Sequence, residues 1–120
     1  MLKTIKVIMN LPDNWDGEGS EAPISYSIKN AKLFAKVFSD ASEGNLPKPV
    51  FSIEKQGALM CYWALENRTY IDISFDKENT FSLFKRTKEG LETYIDETEL
   101  SKVNINWFNE LLKYHKVHSV

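Results

Sequence analysis

Between Val50 and Asp96 the chain repeats one pattern five times: a run of five to nine residues in which apolar and polar side chains alternate, then a turn of two to four residues. The runs are Val50–Glu54, Ala58–Glu66, Thr69–Phe75, Thr80–Arg86 and Leu91–Asp96; between them stand Lys55-Gln56-Gly57, Asn67-Arg68, Asp76-Lys77-Glu78-Asn79 and Lys88-Glu89-Gly90. Side chains alternate across a strand, so a period of two marks a strand with one buried face. Connections this short join antiparallel neighbours and leave no room for the crossover that a parallel pair needs. The pattern therefore predicts a five-stranded antiparallel meander.

Parity along these runs sorts the side chains into two faces. One holds Phe51, Ile53, Leu59, Cys61, Trp63, Leu65, Ile71, Ile73, Phe75, Phe81, Leu83, Leu91, Thr93 and Ile95, and is the expected core face. The other holds Ser52, Glu54, Met60, Tyr62, Ala64, Tyr70, Asp72, Ser74, Ser82, Phe84, Glu92 and Tyr94. Tyr, Phe and Met are the types enriched where proteins meet. The plain reading of this second face is that the C-terminal helix or the opening loop covers part of it. The functional reading is a partner-binding surface or homodimer contact centred on Tyr62, Tyr70, Phe84 and Tyr94. A base-stacking platform is a third reading, weakened because Arg86 is the only basic residue on that face.

Helices are expected on either side of the meander. Ser25, after Pro23, is placed as an N-cap; Ile28, Ala31, Ala35 and Phe38 follow at helical spacing, and Leu33, Phe34 and Val37 broaden the stripe. Lys29, Lys32 and Lys36 fall on the polar side, and Gly44, Asn45 and Pro47 stop the helix after Ser39 or Ser42. A last helix starts at Ser101 or Asn104, with Ile105, Phe108, Leu111 and Leu112 as its stripe and Trp107 extending it. Lys113, His115 and Lys116 lie toward its C-terminal end, where cations suit the helix dipole. Residues 3–9 set Ile5, Val7 and Met9 on one side and read as a short sixth strand, with a terminal helical turn as the alternative. The sum is one two-layer α+β domain over residues 1–120: a five- or six-stranded antiparallel sheet, one long helix before it and one after.

Composition removes several functions. Fifteen Lys and Arg against 17 Asp and Glu give a net charge of −2, without the basic excess of a duplex-binding domain. The single cysteine, Cys61, allows no internal disulfide and no multi-cysteine zinc site, and its place in an apolar strand suits a core residue better than a nucleophile. The N-terminal apolar run is broken by Lys6 and Asn10, and no stretch is long enough for a membrane span, so a cytoplasmic location is expected. His115 and His118 need ligands from elsewhere to hold a metal. Glu54, Asp72 and Glu92 share the second sheet face and are the carboxylates a small enzyme would use. No phosphate-binding glycine loop, nucleophile elbow or zinc-protease motif is present. No catalytic residue, metal or cofactor is therefore assigned, and the chain is read as a non-enzyme.

The opening segment, Leu11-Pro12-Asp13-Asn14-Trp15-Asp16-Gly17-Glu18-Gly19-Ser20-Glu21-Ala22-Pro23-Ile24-Ser25, is the most unusual stretch. Asp13, Asp16, Glu18 and Glu21 cluster there with no Lys or Arg between Lys6 and Lys29. Oxygen donors beside glycines resemble a calcium loop, but the spacing is not that of an EF-hand. The acids read better as an anionic rim, Asp16, Glu18 and Glu21, for a basic partner. Trp15 is expected to anchor over the end of the core, Asp16-Gly17 and Gly19 to supply turns, and Pro23 to set up the Ser25 cap.

The run Leu11-Pro12-x-x-Trp15-Asp16-Gly17-x-Gly19, followed by Pro23-x-Ser25 and a helix, resembles small bacterial and phage-type proteins with an LPxxWDGxGAxPxS motif ahead of a helix and an antiparallel sheet. Ser20 departs from that pattern, which has Ala there. The resemblance covers residues 11–40 and implies the α+β layout and a prokaryotic or mobile-element origin; it carries no catalytic residue. With the small size and the absence of motifs, it leads to an expected role in binding another protein of basic or mixed surface. That role is of the antagonist or regulator kind: immunity, antitoxin or phage anti-defence. A small enzyme and a single-stranded nucleic-acid binder are the alternatives.

Overall fold

The computed structural model describes residues 1–42 and 46–119, with side chains described through Leu112. Helix α1 (Leu2–Met9) and helix α2 (Ser25–Ser42) precede strands β1 (Val50–Ile53), β2 (Leu59–Ala64), β3 (Tyr70–Ser74), β4 (Thr80–Arg86) and β5 (Glu92–Glu99). A 3₁₀ turn (Leu100–Lys102) and helix α3 (Ile105–Ser119) close the chain. The sheet order is β1-β2-β3-β4-β5 with every neighbouring pair antiparallel, the expected five-stranded meander.

Three of the four hairpins use the same five-residue turn. In Glu54–Ala58, Leu65–Thr69 and Thr87–Leu91 the first N–H bonds the fifth carbonyl, and the fourth N–H bonds the first carbonyl. The fourth residue has positive φ in each: Gly57 (93°), Arg68 (65°) and Gly90 (86°). This is a type I turn followed by a left-handed bulge, a position that suits glycine and strains any side chain. Gly57 is doubly required, because a Cβ there would lie 2.5 Å from the Ala22 carbonyl oxygen. Arg68 fills the same position against preference. Arg68→Gly is expected to stabilise the protein by about 0.5–1 kcal/mol, the relief of left-handed strain outweighing the added freedom of the unfolded chain. A higher urea midpoint with an unchanged slope would show it; a fall would mean the Arg68 side chain stabilises the turn itself.

Helices α2 and α3 lie on the same side of the sheet. Phe34 of α2 meets Trp63, Phe75, Phe81, Trp107 and Phe108 with ring centroids 5.4–6.4 Å apart, all edge-on. Phe38 adds Trp63 and Phe108. From Phe51 to Leu83 the parity reading of the core holds: those side chains are buried except Ile53, which is half-buried. The α3 cap is Asn104, whose Oδ1 accepts the Trp107 N–H at 3.0 Å, while Ser101 lies in the 3₁₀ turn.

Four expectations are corrected. Residues 3–9 belong to a helix, not a sixth strand: α1 buries Ile5 and Ile8, three apart, and leaves Val7 exposed. Ser25 is not the α2 cap, since the first helical bond runs from the Ile28 N–H to the Ile24 carbonyl and puts Ser25 one residue inside. Leu91, Thr93 and Ile95 are exposed, because the helix layer does not extend over this edge strand. A bulge also shifts the register from Leu83↔Ile95 to Phe81↔Thr98. Trp15 is half-buried and outside the core cluster. Gly44 and Asn45, read as helix stops, and the side chains of Lys113, His115, Lys116 and His118 lie outside the described residues.

Helix α2 is also stitched to the sheet by polar groups that look unremarkable in the sequence. The fully buried Ser27 hydroxyl accepts the Leu59 N–H at 2.7 Å and donates to the Phe75 carbonyl at 2.6 Å, while Phe75 N–H bonds the Leu59 carbonyl directly at 2.9 Å. One half of a β2–β3 ladder rung is thus relayed through a helix side chain. Tyr26 donates to the Asp76 carbonyl, and Asn30 to the Lys77 and Glu78 carbonyls, so one stretch of α2 holds the whole β3–β4 turn.

The sheet's two edges differ. β1 is four residues long, is entered from Pro49 and packs against α1. β5 is eight residues long and forms the other edge.

Candidate functional site

Because both long helices occupy one face, the C-terminal helix does not cover the second face, contrary to the plain reading of the sequence. Tyr62, Asp72, Phe84 and Tyr94 stand in cross-strand register there, with Tyr70 and Arg86 paired in the next row. Tyr62 stacks on Tyr70 at 6.0 Å, Tyr70 meets Phe84 at 6.4 Å, and the Arg86 guanidinium lies 5.8 Å from the Tyr70 ring centre. Three of the four predicted aromatics therefore form one contiguous surface, and Tyr94, 63% exposed, continues it to the sheet edge. Aromatic and cation–aromatic neighbours of this kind stabilise by about 0.5–1 kcal/mol each, and they hold the rings in place.

The surface is acidic. Glu54, Asp72, Asp76 and Glu92 share it with the cation Arg86, and Lys77 lies within the field of Asp76. Glu54 bonds Ser74 at 2.9 Å and Gln56 at 2.8 Å, yet its carboxyl is pushed up, first by burial and then by the charges of Asp76 and Asp72. Burial also raises Asp72, and a hydrogen bond from Tyr70 partly opposes this. The Tyr70 phenol is raised to about 12 by burial and by the Asp72 charge. The Ser82 hydroxyl sits 3.3 Å from both Asp76 carboxylate oxygens and 3.1 Å from the Asp96 carbonyl. Half-buried carboxylates beside like charges are stabilised by any cation brought to them.

The three carboxylates considered for catalysis do not converge on one point: Asp72 acts on Glu54 at a distance, and Glu92 stands apart from both. Glu54 lies at the turn end of the sheet, Asp72 in mid-strand, and Glu92 is exposed on β5. None lines a described cavity. Among the described residues no three His, Cys, Asp or Glu are grouped to hold a metal. Cys61 is fully buried, and burial drives its thiol well above the ordinary range. No helix among the described residues is long and apolar enough to cross a membrane.

The opening loop is a separate structure. Asp13 accepts the Ala22 N–H, Asn14 the Gly19 N–H, and Asp16 the N–H groups of Glu18 and Ser20 together with the Ser20 hydroxyl. The Ser20 hydroxyl and the Glu18 N–H hold the Asp16 carboxyl below its usual value. Ser20, the departure from the motif, is thus buried and bonded to the loop's central acid. Trp15 donates its indole N–H to the Glu21 carbonyl at 2.9 Å, so it braces the loop itself. Gly17 (φ 74°) and Gly19 (φ 82°) take the predicted turn conformations. The loop docks on the β1–β2 turn through Glu21 N–H to Lys55 and Ile24 N–H to Gly57. Lys55 there meets Glu18 at 3.4 Å, a cation the sequence places 37 residues away. Along β2 the loop is about 17 Å from Tyr62, five residues at about 3.3 Å each. The expected acidic rim, Asp16, Glu18 and Glu21, therefore does not adjoin the aromatic surface; Asp72 stands within it, and Glu54 and Asp76 lie on the same face beyond the Met60–Ser74–Ser82 row.

No family model, no curated protein and no solved structure matches this chain. Residue roles therefore rest on the geometry alone.

Proposed function

We propose that this chain is a protein-binding module that engages a basic surface through the open face of its sheet. The observation that supports it is the contiguous Tyr62–Tyr70–Phe84 surface, left uncovered by both helices, with half-buried Asp72 among its rings and Glu54 farther along the same face. Large aromatics provide binding energy at little entropic cost, and the flanking acids give it a sign. An incoming Arg or Lys would repeat over Tyr62 or Tyr94 what Arg86 does over Tyr70, while relieving Asp72. Those same acids oppose a phosphate backbone, which favours a protein over a nucleic acid. The small size and the motif resemblance support a role as an antagonist or regulator of that partner, of the immunity, antitoxin or phage anti-defence kind, in the cytoplasm.

The test begins with capture from native-host lysate and continues with the purified partner. Simultaneous replacement of Tyr62, Tyr70, Phe84 and Tyr94 by Ala is expected to weaken binding by about a hundredfold or more, as loss of hot-spot aromatics does, with the circular dichroism of the fold retained. Replacement of Glu18 and Glu21, on the distant loop, is expected to leave affinity unchanged. An affinity indifferent to the aromatic set would sink the proposal.

A further inference from the structure

The last hairpin decides which backbone groups of β5 are used within the sheet. The Thr87 N–H bonds the Leu91 carbonyl at 2.9 Å, so Thr87 and Leu91 are a hydrogen-bonded pair. Such pairs alternate along an antiparallel ladder. Lys85 stands opposite Thr93 and Leu83 opposite Ile95, so Thr93 and Ile95 bond back to β4. The N–H and C=O of Glu92 and Tyr94 therefore point off the sheet. Among the described residues no other backbone group bonds to them.

Long exposed edges are normally blunted by charged side chains (Lys above all), Pro, a bulge or a covering element; on β5 the charges are all acidic, which repels like strands and leaves the edge open to basic ones. β5 has neither Lys nor Pro between Glu92 and Glu99. Its bulge lies beyond Ile95. Instead it exposes Tyr94 and Ile95 by 63 and 46%, with Leu91, just before the strand, exposed by 69%. On the helix side, Leu83, Ile95, Trp107 and Leu111 give an apolar floor to a groove of about 300 Å³ beside the edge, with Lys85 and Glu110 as charges of opposite sign on its lining. On the open side, the row from Tyr62 through Asp72 and Phe84 ends at Tyr94. A strand added at the usual spacing of about 4.8 Å would set alternate side chains over the groove and beside Tyr94.

Charge selects the occupant. β5 carries Glu92, Asp96, Glu97 and Glu99 and no base. Lys77 pairs with Glu97 at 3.2 Å and also feels the charges of Asp96 and Asp76, which leaves Glu92 and Glu99 without an ion pair among the described residues. A second copy of β5 would bring the same four acids against the first and be repelled. A strand with Lys or Arg on one face and apolar residues on the other meets acids and Tyr94 on one side and the groove on the other.

We infer that the outer edge of β5 pairs with a basic, extended segment of the partner protein, adding a sixth strand to the sheet. The inference rests on the open face being a protein-binding surface and specifies how the partner is held there.

The probe is a capped octapeptide of alternating lysine and valine, added to the full chain labelled with nitrogen-15. The Glu92 and Tyr94 amides are expected to exchange with solvent about tenfold more slowly or better at saturation, as newly hydrogen-bonded amides do. A glutamate–valine peptide and a lysine–valine peptide N-methylated on alternate residues are expected to give no protection. Combined Glu92→Lys and Glu99→Lys is expected to weaken the lysine–valine peptide by about tenfold or more. Shifts gathered at Tyr62, Tyr70 and Phe84 without protection of β5 would overturn edge pairing and leave the face reading standing. Equal binding of the glutamate peptide, or no binding of either, would overturn the assignment of a basic strand, while the aromatic-set experiment still judges the face by itself. Protection of β5 without peptide, rising with protein concentration, would assign the edge to a second copy and overturn the inference.

Discussion

Replacing Phe34 with alanine is expected to destabilise the protein by about 3–5 kcal/mol, a large share of the roughly 5–15 kcal/mol that holds a typical domain together. Phe34 is fully buried and is the one ring that touches α3, β2 and β4 together with Phe75 at the end of β3. Truncation opens a hole between two helices and the sheet, and the surrounding rings are too rigid to collapse into it. Phe34→Leu keeps much of the volume and is expected to cost less than about 1.5 kcal/mol. Urea unfolding followed by tryptophan fluorescence separates the two, since Trp63 and Trp107 both face the site. A loss from Phe34→Ala no greater than that from Phe34→Leu would show that the core is not organised around this ring.

Ser27→Ala is expected to cost about 2 kcal/mol, within the 1–3 kcal/mol range for stranding a buried polar group. The substitution removes only an oxygen, yet it strips the acceptor from the Leu59 N–H and the donor from the Phe75 carbonyl, both deep between helix and sheet. The sharper readout is local. The Leu59 amide is expected to lose exchange protection before the rest of β2, because its partner comes from α2 and not from β3. Retained protection with unchanged stability would mean that β2 and β3 close directly once the hydroxyl is gone.

Phe34 and Ser27 differ in how visible their roles are in the sequence. Phe34 lies on an evident apolar stripe, and strand parity from Phe51 to Leu83 is governed by burial against that stripe. Parity failed at Leu91, Thr93 and Ile95 because alternation reports which side of the sheet a residue faces, not whether a helix reaches over it. Ser27 and Asn30 pass as ordinary polar positions; the available signal was that Ser27 stands four before Ala31 and seven before Phe34, on the buried stripe. At Ile5, Val7, Ile8 and Met9 consecutive apolar residues satisfy both periods, and the helical one won through Ile5 and Ile8. The aromatic surface was legible in its members and their face. Its acids Glu54 and Asp72 were legible by the same parity, though as candidate catalytic groups and not as the rim; the rim was assigned to the opening loop, where Asp16 is occupied as an acceptor and Glu18 is set against Lys55.

The unequal edges bear on how large an assembly this chain can build. A sheet that accepts strands on both sides polymerises without limit, since each added copy offers a new end. Here one side ends in the four-residue β1, which is entered from Pro49 and backed by α1. Growth is confined to the β5 side, and an acidic strand there turns away its own kind. Under the edge pairing inferred above, such a molecule would form a closed pair of fixed stoichiometry with its partner and offer no second edge from which a fibre could grow.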